Sequence, residues 1–314
     1  MINRRLIRIK ILQEVYAYDK RGDGNAVLSE KELFLSLDKS FELYLFFIQL
    51  LKDIKFQVDL KVDQIKNRQI KAADEEWEKY VRLQNNRVLI KISENQDLEK
   101  HLRNNKITWG SDSKLAKEYL KIIIDSPEYT KYIEKEDSVG SDRKFLAAFC
   151  EEILLDSDKI FEELEERSIF WNDEEDFIVS MLVKSIKQCK SDDEPFKFYK
   201  SAIKDEEDVE YTKRLFRKAL ANIHNHDEFL KSQIDNWDIE RVAELDLLII
   251  KLALIEAIEF PSIPTKVTLN EFLEISKKYS TEKSSTFVNG ILDKVFKKYV
   301  EENIIIKKGR GLLE

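Results

Sequence analysis

Residues 236–259, NWDIERVAELDLLIIKLALIEAIE, put apolar side chains on almost every side of one helix. Leu245, Leu248, Ile249, Leu252, Ala253 and Ile255 cover most of its circumference, and Asp238 is placed to cap its start. A helix that is apolar all round must be buried, so the chain has to supply other helices to enclose it. The rest of the composition agrees. Seven glycines and four prolines in 314 residues, with 36% of the chain charged, are too few turn formers for a sheet protein of this length. The expected fold is all-α, with a core large enough for one large domain or two smaller ones.

The densest apolar run, Leu43 to Leu51, is far shorter than the roughly 20 residues a bilayer helix needs, so no membrane association is expected. The N-terminus is charged and has no apolar stretch of signal-peptide type. Cys150 and Cys189 stand far apart without a CxxC, which fits a reducing cytoplasm and argues against a metal or disulfide framework. A net charge of −8 argues against non-specific coating of nucleic acid but allows a local basic patch.

Such a patch occurs at once. MINRRLIRIKILQEVYAY reads as a helix with Ile2, Leu6, Ile9, Leu12, Val15 and Tyr16 facing inward. Its first part carries Arg4, Arg5, Arg8 and Lys10, with no acid before Glu14. Cations at a helix N-terminus oppose the macrodipole, so something must compensate. A phosphate group fits arginine forks and free helix N–H groups, and acids elsewhere in the chain are the other candidate. The following DKRGDGNAVLSE puts Asp19, Asp23, Gly24 and Glu30 at positions of a calcium loop, but Arg21 stands where an oxygen ligand belongs. It reads as a Gly-rich helix–helix turn.

Near the C-terminus, PSIPTKVTLNEFLEISKKYSTEKSSTFVNGILDK reads as loop, helix, polar break, helix. Asn289-Gly290 lies inside a helical pattern, where a glycine costs about 1 kcal/mol against alanine. It marks either a tight helix crossing or a surface that must stay bare. Ile263, Pro264, Lys266, Val267, Asn270, Glu271, Glu274, Lys277, Phe287, Val288, Asn289, Gly290, Leu292, Asp293 and Lys294 fall in the order of the C-terminal signature of the transcription antitermination factor NusB family. The resemblance extends to the Arg-rich first helix with Gln13, Val15 and Tyr16, to Tyr211, and to Leu252, Ala253 and Glu256 in the apolar helix. Leu247 and Lys251 depart from it, standing where the family commonly has arginine.

The resemblance implies a NusB-like all-α bundle, two packed small bundles, carrying a large helical insertion. The expected organisation is a first helix at 1–20, an insertion of unknown role at 21–200, the main NusB-like helical domain at 201–300, and a basic, flexible tail at 301–314. Within the insertion, helices are expected at 31–56, 113–124, 127–135, 141–168 and 173–190; 57–100 turns strongly polar, with 66–87 a partly exposed, solvated helix or hairpin. The acid runs Asp173–Asp176, Asp192–Glu194 and Asp205–Asp208 stand where first helical turns would begin. His224 and His226 read as loop or cap residues, since side chains two apart do not share a helix face.

As to function, the resemblance implies binding of single-stranded boxA-type RNA in ribosomal RNA leaders, together with a NusE-type ribosomal protein, within an RNA polymerase antitermination complex. No cofactor and no catalytic residue are expected. Arg4, Arg5, Arg8 and Lys10 would hold phosphates, Lys283 would add a contact, and Phe287 would meet a base. One alternative is a helical protein–protein scaffold without RNA binding. A NusB-like domain of an rRNA methyltransferase is weaker still, because nothing resembles the G-x-G turn of a cofactor-binding domain.

Overall fold

The computed structural model describes residues 4–22, 24–67, 74–110, 114–155, 158–171, 174–203, 205–222 and 243–312, with the side chains of 74–76, 158, 159, 161 and 282 left aside. Among these residues there are helices and no strands. The chain divides into two compact units, one of residues 38–202 and one of residues 2–37 with 203–314.

The second unit is built around the helix that must be enclosed. Its helices are α1 (Arg4–Arg21), the start of α2 (Ala26–Lys66), α11 (Glu206–Asn222), α12 (Glu244–Glu259), α13 (Thr265–Tyr279) and α14 (Glu282–Glu301). Every residue from Leu252 to Ala257 on α12 is buried, and α1, α11, α13 and α14 all pack on it. The central position expected from its apolar circumference is therefore the observed one. Asn236–Val242, with the Asp238 cap, and the His224/His226 pair lie outside the described residues. Gly22 and Gly24, both at positive φ, make the turn between α1 and α2. Only glycine enters that region without strain.

The tail does not behave as its composition suggests. Expected to be flexible, residues 303–312 instead fold back on the α12–α13 connection. Ile305 is buried, Lys307 Nζ donates to Ala257 O at 2.7 Å and Phe260 O at 3.1 Å, and Lys308 N donates to Pro261 O at 3.0 Å. The last carbonyls of a helix have no partner within it, and a lysine side chain supplies one here. Gly311 packs so tightly that a Cβ would lie 1.9 Å from Pro261 O.

The first unit holds the rest of α2, then α3 (Asp74–Gln84), α4 (Arg87–Glu94), α5 (Gln96–Asn104), α6 (Lys114–Asp125), α7 (Pro127–Ile133), α8 (Val139–Ala148), α9 (Asp158–Arg167) and α10 (Glu175–Lys187). Tyr44, Phe47, Tyr119, Tyr129, Tyr132 and Phe149 are fully buried. The hydroxyl or N–H of each buried tyrosine and tryptophan of this unit has a partner: Tyr44 Oη lies 2.8 Å from Ser185 Oγ, and Trp109 Nε1 donates to Phe46 O at 2.8 Å. Asp142, also buried, accepts from Tyr132 Oη at 2.7 Å, Arg87 Nη1 at 2.9 Å and the Arg87 N–H at 3.0 Å.

Three details differ from the sequence expectation. The stretch 57–100 is more buried than its polar composition suggests: α2 runs on to Lys66, and Leu83, Val88, Leu89, Ile92 and Leu98 are buried, while α3 is a partly exposed helix, as expected over 66–87. The helix expected over 141–168 is interrupted, with a π turn at Phe149–Leu154 that keeps Phe149, Cys150 and Leu154 inside. Asp192–Glu194 open no helix. Pro195 follows directly and pushes the preceding residue out of the helical region. The segment is tied down instead by Asn95 Nδ2, which donates to Phe196 O at 2.9 Å.

Candidate functional site

The basic face of α1 packs within the second unit, and each of its arginines meets acids from another helix. Arg4 donates to Asp208 Oδ1 at 2.8 Å and Glu207 Oε1 at 2.7 Å. Both acids sit in the first turn of α11, where negative charge also suits that helix's own dipole. Arg5 forms a two-pronged pair with Glu271 of α13, both bonds at 2.9 Å. Arg8 forms another with Glu256 of α12, at 2.7 and 2.9 Å, and lies 3.5 Å from Glu271. These acids are what compensates the uncomplemented start of α1.

Glu256 is the centre of the arrangement. It is 0% exposed, and a carboxylate there needs every lone pair used. Arg8 supplies two bonds, Thr268 Oγ1 donates at 2.8 Å, and the Tyr211 hydroxyl donates to Oε2. Burial first, and the Glu256 carboxylate beside it, hold the Tyr211 phenol well above its ordinary value of 10, so Tyr211 stays a donor. The Arg4 and Arg8 guanidinium groups lie 4.9 and 5.7 Å from the Tyr211 ring centre. Tyr211, Glu256 and Glu271 each belong to the pattern noted in the sequence. An acid inside the most apolar helix, where charge is almost never left unpaired, was the available sign of this role.

The six residues expected to contact RNA therefore have different surroundings. The Arg4 and Arg5 side chains are 31% and 36% exposed and keep one side toward solvent. Lys283 is exposed near the start of α14. Arg8 and Lys10, at 3% and 2%, have almost no surface to offer a phosphate. Phe287 is 8% exposed and belongs to the apolar packing of α14 with Val288, Ile291 and Leu292.

The signature helices α13 and α14 also present a polar surface. Lys266, Asn270, Asn289 and Gly290 are exposed. Apart from its own stretch of helix backbone, no atom of the described residues lies within 4 Å of where a Gly290 Cβ would stand. The tight helix crossing is thus not the reason for this glycine, and the open surface is the alternative left.

A profile of the NusB family matches residues 176–297, from α10 to α14. Proteins named transcription antitermination protein NusB are similar over the same part. That of Salinibacter ruber is 36% identical over 104 residues, 33% of this chain and 65% of the relative. That of Chloroherpeton thalassium is 37% identical over 101 residues, 32% and 48% of the two chains. That of Clostridium botulinum is 44% identical over 100 residues, 32% and 74% of the two chains. The chain thus spans from about half to three quarters of these relatives' lengths. No solved structure matches.

Proposed function

The chain belongs to the NusB family of transcription antitermination proteins, and from that premise we propose that it binds single-stranded boxA-type RNA of ribosomal RNA leaders together with a NusE-type ribosomal protein, inside an RNA polymerase antitermination complex. The family is not one of enzymes, so the role is recognition. The residues between α1 and the matched region fit an insertion into that family.

The observation that carries the reading is Gly290. It is exposed in mid-helix, beside exposed Asn289, with nothing near its missing side chain. Packing does not account for it, and close approach of another molecule does. Arg4, Arg5 and Lys283 are the phosphate contacts in this reading, the two arginines trading or sharing their acids when RNA arrives. Arg8, Lys10 and Phe287 act from inside, by fixing α1 and α14.

The test is binding of a labelled boxA-like RNA with and without the NusE-type protein, across a salt series. Expected are partner-enhanced binding that weakens steeply with salt, and weaker binding with a shallower salt slope in Arg5→Ala and Lys283→Ala. Failure to bind RNA with the partner present rejects the reading. The arginines' acidic partners favour one second reading, a protein scaffold without RNA contact. It is recognised by NusE-type binding that persists while RNA association is absent.

A further inference from the structure

The first unit carries a groove of about 670 Å³ between the C-terminal half of α2, α3 and α6. It lies outside the region that matches the NusB family. Helix α2 is apolar on two faces here. Ile54, Val58, Val62 and Ile65 are buried, while Phe56 and Leu60, one turn apart, are 58% and 39% exposed. A helix with apolar residues on a second face has one side still to cover. Leu120 and Ile124 of α6 and the ring of Tyr80 of α3 continue the apolar floor.

The rim is basic. Among the described residues, Lys61, Lys117 and Lys121 line the groove with one acid, Asp125, in a chain whose net charge is −8. Lys61 Nζ sits 5.8 Å from the Tyr80 ring centre, which holds that ammonium over the floor. A positive island on a negative protein attracts negative partners selectively. The volume is that of a site for a few side chains, not for a folded domain.

We propose that this groove is a docking site for an acidic amphipathic peptide segment of a partner protein, its large apolar side chains seated on Phe56, Leu60 and Ile124 and its carboxylates on the three lysines. A single-stranded nucleic acid is the other polyanion such a rim attracts. The floor favours the peptide: beside the Phe56 and Tyr80 rings, Leu60, Leu120 and Ile124 give aliphatic surface that apolar side chains cover and a base does not.

The test uses the full chain and three fluorescein-labelled probes. One is a pool of 12-residue peptides with Leu, Ile or Phe at positions 1, 4, 5 and 8 and Asp or Glu elsewhere. The second is the same pool with Lys and Arg in place of the acids, and the third is a 12-nucleotide oligouridylate. Expected is salt-sensitive binding of the acidic pool, about tenfold tighter than the basic pool, and about tenfold weaker in Phe56→Ser and in the Lys61→Glu/Lys117→Glu/Lys121→Glu variant. Lys121→Glu alone, with an unchanged unfolding midpoint, is the variant that separates binding from folding. Acidic-pool binding no tighter than the basic pool overturns the proposal. So does oligouridylate binding abolished by the same substitutions, which marks the groove as a nucleic-acid site. Peptide binding seen only after residues 68–73 are replaced by a Gly-Ser linker also overturns it, since the chain's own connection is then the occupant.

Discussion

Arg8 and Glu256, 248 residues apart in sequence, form a two-pronged ion pair of 2.7 and 2.9 Å in which neither partner is more than 3% exposed. Truncating one member leaves a charge buried without its counterion. Arg8→Ala is expected to cost about 3–5 kcal/mol of unfolding free energy. The double variant Arg8→Met/Glu256→Leu is expected to recover part of that loss, because no bare charge remains. Urea denaturation of the native chain, Arg8→Ala, Arg8→Met, Glu256→Leu and the double variant checks it, and a single-variant cost below about 1 kcal/mol contradicts a structural role for the pair.

Asp142 plays the corresponding part in the other unit. Its carboxylate accepts from Tyr132, from the Arg87 side chain and from the first N–H of α4. Asp142→Ala is expected to cost about 3 kcal/mol, since three donors lose their acceptor together. Amide hydrogen exchange should rise first in α4 and α8.

Gly290 and Gly311 should respond in opposite directions. Gly290→Ala meets open space and replaces a poor helix former, so it should stabilise by about 0.5–1 kcal/mol. If the bare surface serves binding, the same change weakens RNA or partner affinity while raising the melting temperature. Gly311→Ala brings a Cβ to 1.9 Å from Pro261 O and should release the tail, seen as faster exchange at residues 260–263 and 305–311.

Burial lowers the pKa of Lys307 to about 8, with Glu256 pulling it back up. Unfolding restores the ordinary value of 10.5. Between these values the unfolded chain binds more protons than the folded one, so stability rises with pH across that window. Below about pH 8 both states are protonated and the burial penalty is fully present. Because the group is partly exposed, the gain is about 1 kcal/mol at most. Denaturant titrations at pH 7 and 10 should show this rise in the native chain, and its loss in Lys307→Met.

What the sequence made legible was whatever local periodicity encodes. The all-α class and the enclosed position of α12 follow from the spacing of apolar residues, and the turn at Gly22 and Gly24 from its glycines. The candidate site was legible in part. The need of Arg4, Arg5 and Arg8 for negative partners could be read from helix electrostatics, but not which partners, because Glu207, Asp208, Glu256 and Glu271 lie some 200 residues or more along the chain. The docked tail was hidden for a related reason. Lys307 and Lys308 look like solvated charge, and only the fold reveals the carbonyls of α12 and its following loop that they reach.

The placement of α1 has a consequence for how the chain is made. Arg4, Arg5 and Arg8 leave the ribosome long before the acids they pair with, and the gap from Arg8 to Glu256 is 248 residues. At roughly 5–20 residues per second that is a delay of about 12–50 s. Throughout it, the nascent chain carries a cationic amphipathic segment whose counterions have not yet been translated. Loss of the C-terminal helices through premature termination would make that interval permanent, leaving a helix fitted to bind whatever polyanion is nearest.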